Sequence, residues 1–459
     1  MTFTPPEART TRRHGIGPAA LVAVVAALVL AAPAAARPLV TGLTDPSEPA
    51  FAEGDLDGAY AAAKAAGIRL IRVPAVWGSV APRYPAEARD PAHPRYQWAA
   101  LDARLRRIFD AGLEPLLSVY SAPGWARIRG PSPDPTAFGN FMAAAALRYS
   151  GTYQGLPRVR YWQLWNEPNI LNYLDQGDSA VHYRAMVNAA YPEIHAVHAD
   201  NVVVAGGTAP FAGENGRYGT APLPFIREAL AAPMSFDAWS HHPYTSGPPV
   251  LHARNEGDAS IGDLPKIRRI LRDTGHGSAA LWATEFSWDS APPDPYGVPL
   301  REHARWVAEG LYRMWRHGVS TVVWFQLRDN PKGTFTWGQT FQSGLYFQNR
   351  RPYAEEKAKP ALRALRFPFV ALPVGRRVSL WGRTPDSSRH TVVVERRSGR
   401  RWRRVIRLRA DRDGIFRGRI PRRGRAPLRA RAAGDASLPF APRRTRRRHV
   451  NPFGGENPP

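Results

Sequence analysis

Two glutamates stand in sequence contexts that suit acid–base chemistry. Glu167 lies in YWQLWNEPN, where an aromatic and apolar run ends in Asn166 and Pro168 interrupts the chain. Glu285 lies in WATEF, at the end of a second short apolar run. Paired carboxyl groups hydrolyse glycosides when one donates a proton and the other attacks the sugar or activates water. The chain has no cysteine, which excludes a thiol nucleophile and thiolate metal sites.

The elements that must position these glutamates follow a repeating pattern. Between residues 38 and 370, short apolar runs, often β-branched, alternate with longer helical stretches, several of which end in glycine. Eight such units predict an α/β fold, a (β/α)8 or TIM barrel. The predicted strands are 39–43, 68–73, 113–120, 159–165, 202–207, 236–242, 281–286 and 321–327. A doubly wound sheet is the competing fold, but no glycine-rich phosphate loop follows the first strand.

The unusual residues of this region fall where the predicted strands end. In a barrel of this kind, the loops that follow the strands build the active face. Glu167 ends the fourth predicted strand and Glu285 ends the seventh. The remaining candidates at strand ends are Arg72 on the second strand, Asn166 on the fourth, His242 and Tyr244 on the sixth, and Trp324 on the eighth. His242 and Tyr244 are two residues apart on an extended chain, so we expect them to face the same side.

The motifs LWNEPN and WATEF resemble the acid/base and nucleophile motifs of retaining glycoside hydrolases of clan A. The combination of WNEPN with TEF is most similar to glycoside hydrolase family 39, a group of β-xylosidases, α-iduronidases and some bacterial exopolysaccharide endoglycosidases. The resemblance covers roughly residues 39–366, in which only the motifs are close. It implies that Glu167 is the acid/base and Glu285 the nucleophile, with a carbohydrate substrate and no cofactor.

The same resemblance implies substrate-binding roles for five neighbours of the glutamates. Asn166 is expected to hydrogen-bond the sugar 2-hydroxyl, a contact that strengthens at the oxocarbenium-like transition state. Arg72 and Tyr244 are expected to keep the second glutamate ionised and aimed at the anomeric carbon. His242 and Trp324 complete the expected binding set.

Two further expectations concern Glu167 itself. A general acid needs a raised pKa, and we expect repulsion from the nearby carboxylate of Glu285 to raise it. Pro168 disfavours the helical region for the residue before it, so we expect an extended or turn conformation that projects Glu167 from the strand end.

Each motif also has a purely structural interpretation. Asn and Pro favour turns, so NEPN is also ordinary turn sequence. Arg72 also suits an ion pair in the core. His241 and His242 are candidate metal ligands, although adjacent strand residues point to opposite sides. Four tryptophans in or beside strand-end loops fit either a sugar platform or the core: Trp77, Trp125, Trp288 and Trp337.

The N-terminus has the three parts of a secretory signal. Arg12 and Arg13 precede an apolar run over residues 19–32, and Ala34 to Ala36 form a small-residue cleavage site. Residues 1–36 are therefore predicted to be a signal peptide, which makes the protein secreted or cell-wall associated, with no stable membrane span after cleavage. An uncleaved anchor and a twin-arginine route are the alternatives, although the run is shorter than a bilayer span.

The last part of the chain differs from the rest in its hydrophobic pattern and its charge. Residues 371–433 show short alternating runs separated by turns, which predicts a small all-β sandwich resembling immunoglobulin-like accessory domains. Residues 434–459 are predicted to be a disordered basic tail. Residues 371–459 hold 25 Arg and 6 Asp or Glu, so most of the net charge of +25 lies there. An anionic cell-wall or extracellular polymer is the expected partner, a solvated face is the alternative, and no nucleic acid is expected.

These observations together predict a secreted retaining glycoside hydrolase that cleaves O-glycosidic bonds of a poly- or oligosaccharide. A non-catalytic carbohydrate-binding or wall-adhesion protein on the same barrel is the competing hypothesis. The presence of Glu167, Glu285, Asn166 and Tyr244 argues for the enzyme.

Overall fold

The computed structural model describes residues 38–46, 55–175, 177–213, 216–348, 355–446 and 448–455. The predicted signal peptide, residues 1–36, lies outside the described residues. Within the described part of the chain, no helix combines the length and the apolar character needed to cross a membrane.

Eight parallel strands close into a barrel, each paired with its neighbours in chain order and the last paired with the first. The predicted (β/α)8 barrel is therefore confirmed, and each of the eight predicted strands overlaps an observed one. The strands are β1 Val40–Thr44, β2 Leu70–Val76, β3 Glu114–Tyr120, β4 Tyr161–Leu164, β5 Val202–Thr208, β6 Ala238–His241, β7 Ala280–Phe286 and β8 Val319–Trp324. Val40 opposite Thr321 begins the pairing that closes the ring.

Helices follow the strands and cover the outside of the barrel. They are α1 Leu56–Ala65, α2 Ala99–Asp110, α3 Pro135–Arg148, α4 Ser179–Val197, α5 Pro222–Ala229, α6 Leu264–Asp273, α7 Leu300–Arg316 and α8 Pro360–Arg366. Helix α2 shows why they form, since Leu101, Leu105 and Ile108 bury one face at helical spacing. Asp134 caps α3 by accepting a hydrogen bond from the Ala137 amide.

Several short elements lie in the connecting loops. They are the helix Trp77–Val80, the 3-10 helices Gly124–Ala126, Ile261–Asp263 and Trp337–Gln339, and the strand pairs Arg127–Arg129 with Ser132–Pro133 and Ser290–Ala291 with Val298–Pro299.

The inside of the barrel is layered by the alternation of side chains along the strands. An apolar layer is formed by Leu70, Leu116, Val204, Ala238, Trp282 and Val323. Two residues further along β2, β3 and β4, the inward positions are Arg72, Ser118 and Gln163, which make the next layer polar. The inner layer that follows the apolar one is therefore polar on β2, β3 and β4.

An irregularity in β7 changes this alternation at the site. Val322 pairs with Ala283 and Trp324 pairs with Phe286, so β7 carries one extra residue against β8. A β-bulge of this kind redirects the side chains that follow it. Glu285 lies within the bulge, and its carboxyl group accepts hydrogen bonds from Arg72 of the polar layer and from Tyr244.

The C-terminal region is all-β, as predicted, and consists of two antiparallel sheets. The strands are β9 Phe369–Val374, β10 Arg377–Arg383, β11 Thr391–Ser398, β12 Arg401–Arg409, β13 Ile415–Pro421, β14 Leu428–Ala432 and β15 Asp435–Ala436. One sheet has the order β9-β10-β13 and the other the order β12-β11-β14-β15. Its first strand begins two residues before the predicted boundary at 371.

This β-region shares its core with the barrel. The ring of Trp381 packs against Tyr312 and Trp315 of α7, with both centroid distances at 5.5 Å. Arg383 is fully buried and donates to two backbone carbonyls, Leu39 at 2.6 Å and Leu365 at 3.1 Å. Because these contacts tie β10 to the entrance of β1 and to α8, the described residues from 38 onward belong to one compact unit.

The segment predicted to be a disordered tail contacts both the β-region and the barrel over its described part, residues 434–446 and 448–455. Phe440 exchanges two backbone hydrogen bonds with Leu428. Arg305 of α7 donates to the carbonyls of Ala441 and Arg443. The basic composition suggested a solvated chain, whereas contacts of its backbone and aromatic side chains hold it in place.

Candidate active site

Arg72 lies at the centre of a polar cluster near the end of the barrel where the carboxyl ends of the strands meet, which we call the open end. Its side chain is only 5% exposed. The guanidinium donates to Gln163 Oε1 at 3.0 Å, Ser118 Oγ at 3.3 Å, Asn166 Oδ1 at 2.6 Å and Glu285 Oε2 at 2.9 Å. A buried guanidinium needs acceptors for its five N–H groups, and residues of three other strand regions supply four.

Glu285 is held by opposite charge and by a phenol. Arg72 donates to one carboxyl oxygen, and the hydroxyl of Tyr244 donates to the other at 2.8 Å. Both contacts donate a hydrogen bond to the carboxyl group and so hold it in one orientation. Burial and the neighbouring charge of Glu285 hold the pKa of Tyr244 well above its ordinary value, so the phenol keeps its proton.

Glu167 is presented by a tight turn. It has a φ of 42°, in the left-handed region, and its carbonyl accepts a hydrogen bond from the Ile170 amide at 2.9 Å. The preceding Trp165 also has a positive φ, of 73°. Of the two conformations expected before Pro168, the structure therefore has the turn. Non-glycine residues in this region are strained, and such strain collects at functional sites.

The carboxyl group of Glu167 meets His242 rather than an arginine. Its Oε1 lies 2.9 Å from His242 Nδ1. The histidine is fully buried, and burial lowers its pKa to about 3, with Arg72 acting in the same direction. His242 is therefore neutral at physiological pH. A neutral imidazole exchanges a hydrogen bond with Glu167 in either protonation state without adding a positive charge.

The two glutamates are consequently treated in opposite ways. Burial raises the pKa of Glu167 from 4.5 to about 7, and Arg72 offsets only part of this increase. A fifth of its side chain remains exposed, at 20%, so the carboxyl group is still accessible from solvent. The expected cause of the raised pKa was repulsion from Glu285. The structure gives burial as the cause, because Arg72 already balances the charge of that second carboxylate.

The distance between the carboxyl groups is bounded by their shared neighbour. His242 Nδ1 lies 2.9 Å from Glu167 Oε1 and 3.9 Å from Glu285 Oε2. These two oxygens are therefore at most about 7 Å apart, whereas separations of about 5 to 5.5 Å accompany retention and about 6.5 to 9.5 Å accompany inversion.

The asparagines on either side of Glu167 and Pro168 have different partners. Asn166 is directed by its contact with Arg72, which orients its amide oxygen toward the arginine. Asn169 is fully buried and holds the turn against the loop after β5, since it donates to Ala209 and Thr220 and accepts from the Ala209 amide. The second Asn of NEPN is thus structural, as the turn interpretation suggested.

Trp324 is not brought into this cluster. Its indole is fully buried, packs against Phe286, Trp288 and His303, and donates its N–H to the Ser343 carbonyl. The expected contact with substrate therefore has no support in the geometry. The reason is the strand alternation, because Val323 belongs to the inner layer and its neighbour Trp324 points to the helices. Phe325, the next residue in the inward direction, is 9% exposed.

The other candidates have mixed outcomes. His241 contacts Thr208 and the Ala259 carbonyl on the far side of its strand from His242. In the described part of the chain, no group of three or more His, Asp or Glu is arranged to hold a metal ion. Trp77 and Trp288 are core residues. Trp125 is half-buried and lines a cleft of about 780 Å³ with Tyr84 and Ile128, to which none of the clustered residues contributes.

Two aromatic residues near the candidate site, Tyr120 and Tyr173, were not predicted from the sequence. Tyr173 packs edge-on against Tyr120 with a centroid distance of 6.2 Å. Burial raises the pKa of Tyr173 above its ordinary value, and the charges of Glu167 and Glu285 act in the same direction. Tyr120 ends β3, so its strand-end position was a usable signal, whereas Tyr173 lies in a loop without a pattern.

No protein-family model matches this chain, and no curated protein sequence matches it. Solved structures share its fold at low identity. A family 39 β-xylosidase (GH39) from Caulobacter crescentus superposes with a TM-score of 0.52 at 18% identity, over 78% of this chain and 83% of that one. A monomeric β-xylosidase from C. crescentus CB15 has a TM-score of 0.52 at 16% identity, over 87% and 96%. A glucosidase from Croceicoccus marinus has a TM-score of 0.50 at 14% identity, over 84% and 93%.

The raised pKa of Glu167 predicts a pH-dependent gain in stability for Glu167→Gln. Below about pH 4.5 the carboxyl is protonated in both folded and unfolded chains, so the wild type has no penalty there. As the pH rises toward 7, Glu167 ionises freely only in the unfolded chain. The folding stability of the wild type therefore falls by about 2 to 3 kcal/mol relative to that of the variant. Urea unfolding at pH 4.5 and pH 8 measures the difference, and a constant difference would contradict the burial of Glu167.

Glu285→Gln is the matched variant and has the opposite expectation. It leaves the buried Arg72 without its counter-charge, which destabilises the fold by roughly 3 kcal/mol at pH 8. Equal shifts for the two variants would show that the two carboxyl groups have similar environments.

Proposed function

We propose that this chain is a secreted retaining glycoside hydrolase that cleaves O-glycosidic bonds of a poly- or oligosaccharide. The observation that carries the proposal is the opposite treatment of two neighbouring carboxyl groups. Burial gives Glu167 a pKa of about 7, which suits an acid that must also act as a base. Arg72 and Tyr244 both donate to Glu285, which suits a carboxylate nucleophile.

The fold supports this proposal without specifying the sugar. Its structural relatives include β-xylosidases and a glucosidase, so a carbohydrate is the substrate class that their printed activities suggest. In this fold, catalytic residues project from the ends of several strands, as Glu167 and Glu285 do, whereas Arg72 projects from within β2.

In the first step Glu285 attacks the anomeric carbon while Glu167 protonates the departing oxygen. The bond between the anomeric carbon and that oxygen breaks, a bond to the Glu285 oxygen forms, and the proton leaves Glu167 with the aglycone. The contact between Arg72 and Glu285 weakens as the carboxylate charge passes into the ester, and Arg72 then retains Gln163 and Asn166 as acceptors.

In the second step Glu167, now ionised, takes a proton from water, which attacks the anomeric carbon and releases Glu285. The neutral His242 permits this reversal, because its Nδ1 can pair with either form of the Glu167 carboxyl group. Arg72 donates to the amide oxygen of Asn166, which supports a role in which the Asn166 amide N–H donates a hydrogen bond to the sugar 2-hydroxyl.

The bound on the separation of Glu167 Oε1 and Glu285 Oε2 is compatible with retention. An upper bound of about 7 Å includes the range of about 5 to 5.5 Å for direct attack and excludes most of the range of about 6.5 to 9.5 Å for inversion. The two displacements therefore return the anomeric carbon to its starting configuration.

Secretion and an immunoglobulin-like type for the β-region remain predictions from the sequence. The segment 1–36 supports export, and its removal would leave the mature chain outside the membrane. N-terminal sequencing of the protein from a culture medium tests this, with residue 37 as the expected first residue.

The two glutamates should fail differently when each is replaced by alanine. With a dinitrophenyl glycoside, whose leaving group needs no proton, Glu167→Ala should still form the intermediate and then stall for want of a base. Azide should restore turnover and give a glycosyl azide with the substrate's own anomeric configuration. The deficit of Glu167→Ala, about 10² to 10⁴-fold on substrates with poor leaving groups, should shrink as the leaving group improves.

Glu285→Ala is the control for this experiment. It cannot form the intermediate, so its deficit should persist with every leaving group, and any azide product should be inverted. Product configuration read by NMR decides the assignment. An inverted azide product from Glu167→Ala would reverse the proposed roles.

The pH profile should report the buried acid. Since Glu167 must be protonated in the first step, kcat/KM should fall about tenfold per pH unit above its pKa of about 7. The fall should disappear with a dinitrophenyl leaving group, which departs without a proton. If kcat/KM still falls at high pH with that substrate, a group other than Glu167 causes the fall.

We also propose that the Arg-rich C-terminal region binds an anionic polymer. Arg422, Arg425, Arg443, Arg444 and Arg446 line one cavity of about 490 Å³. Clustered guanidinium groups favour phosphate or carboxylate groups, and such binding weakens with salt.

A triple change of Arg422, Arg425 and Arg444 to Gln should reduce retention on a polyglycerol-phosphate column. The matched control makes the same change in net charge at Arg106, Arg107 and Arg269, which are exposed on barrel helices. The salt concentration needed to elute the protein should fall more for the first variant than for the control. Equal shifts would show that only the net charge matters.

A further inference from the structure

The end of the chain crosses the open face of the barrel. We call residues 440–446 and 448–455 the strap. It begins at Phe440, whose ring centroid lies 3.8 Å from the guanidinium carbon of Arg305 on α7. The same guanidinium donates to Thr445 Oγ1 at 3.1 Å and to the carbonyls of Ala441 at 3.0 Å and Arg443 at 2.6 Å. One arginine of an outer helix therefore fixes where the strap starts.

The middle of the strap passes close to the loop that follows β6. His449 Nδ1 lies 3.2 Å from the Ser246 carbonyl. A Cβ atom on Gly247 would lie 2.4 Å from the Arg448 carbonyl oxygen, so a side chain at this position would displace the strap. The loop is thus shaped to let the strap approach.

The tip of the strap fits between the loops that follow β7 and β8. Gly454 has a φ of 84°, and a Cβ there would lie 2.7 Å from both Asp289 Oδ2 and the Trp337 carbonyl. Gly455 donates its backbone N–H to Asp294 Oδ2 at 3.1 Å. Only glycine combines this conformation with this lack of space, so the position of the tip is specific.

Phe453 connects the strap to the proposed nucleophile. Its ring centroid lies 4.7 Å from that of Tyr244 and 6.3 Å from that of Phe211. Tyr244 in turn donates its hydroxyl to Glu285. A continuous line of contacts therefore runs from the last described turn of the chain to the carboxylate.

We propose that Phe453 is a positioning residue that holds the Tyr244 hydroxyl on Glu285, which makes the strap part of the active site. Tyr244 lies beyond the end of β6, so the strand ladder does not fix its ring. A hydrogen bond weakens steeply when its geometry drifts, and a packed aromatic neighbour restricts that drift. The inference rests on the proposed function, since it assigns a support to the nucleophile of that reaction.

Steady-state kinetics on an aryl glycoside hydrolysed by the wild type provides the first test. Phe453→Ala should lower kcat roughly 3- to 10-fold, the range that corresponds to one aromatic pair, while KM changes less than about twofold. Phe453→Tyr keeps the ring and should restore kcat. An unchanged kcat in Phe453→Ala would overturn the proposal, and a raised kcat would show instead that the strap covers the site and inhibits it.

Phe236→Ala is the matched control. Phe236 is likewise half-buried and stacks on His276 with a centroid distance of 4.7 Å, but it precedes β6 at the opposite end of the barrel. It should lower the melting temperature comparably and leave kcat unchanged. An equal loss of kcat in both variants would mean that general destabilisation explains the effect of Phe453→Ala.

A double-mutant cycle separates positioning from mere contact. Tyr244→Phe removes the hydroxyl and should lower kcat about 10- to 100-fold. In the Tyr244→Phe background, Phe453→Ala should cost little further kcat, because no hydroxyl remains to be positioned. Full additivity of the two losses would overturn the proposal.

Thermal unfolding of the same four proteins gives a readout that does not depend on turnover. If Phe453 maintains the hydrogen bond, Tyr244→Phe should lower the melting temperature less in the Phe453→Ala background than in the wild type. Additive shifts would contradict the inference. A wild type that hydrolyses no glycoside would contradict the proposed function, and the unfolding cycle would still decide whether the strap supports Tyr244.

Discussion

A single buried guanidinium organises the open end of this barrel. Arg72 sits where the apolar inner layer gives way to polar chemistry, and burial of its charge is tolerable only if its N–H groups find acceptors. Ser118, Gln163 and Asn166 meet that requirement from β3 and β4, and Glu285 adds the counter-charge from β7. The requirement to satisfy one arginine thus fixes the relative positions of groups that lie up to 213 residues apart in the chain.

The same arginine explains why two similar carboxyl groups differ. Glu285 receives the direct ion pair, whereas Glu167 receives a neutral, buried histidine and a partly desolvated environment. Charge repulsion between the glutamates would be the natural cause of a raised pKa if neither had a cation beside it. Because the cation is present and belongs to one of them, burial becomes the dominant cause for the other.

The sequence predicted the parts of this molecule that depend on local patterns. All eight barrel strands follow from apolar runs at regular spacing, and Glu167, Glu285, His242 and Tyr244 follow from their places at strand ends. The role of Trp324 did not follow, because the choice between inner and outer face depends on the register of β8. The bulge in β7 could not be predicted from the sequence either. It is defined by the pairing of β7 with β8, and WATEF alone does not indicate it.

The strap shows the limit of composition as a guide. A run of arginines with proline and glycine predicts a disordered, solvated chain, because it offers few apolar residues to bury. Its placement instead depends on single long-range contacts, in which Arg305 binds its carbonyls, Asp294 accepts a glycine amide and Phe453 packs on Tyr244. None of these contacts has a local signature, because each joins residues that lie far apart in the chain. Order in this segment is therefore a consequence of the barrel, and the geometry of Tyr244 in turn depends on it.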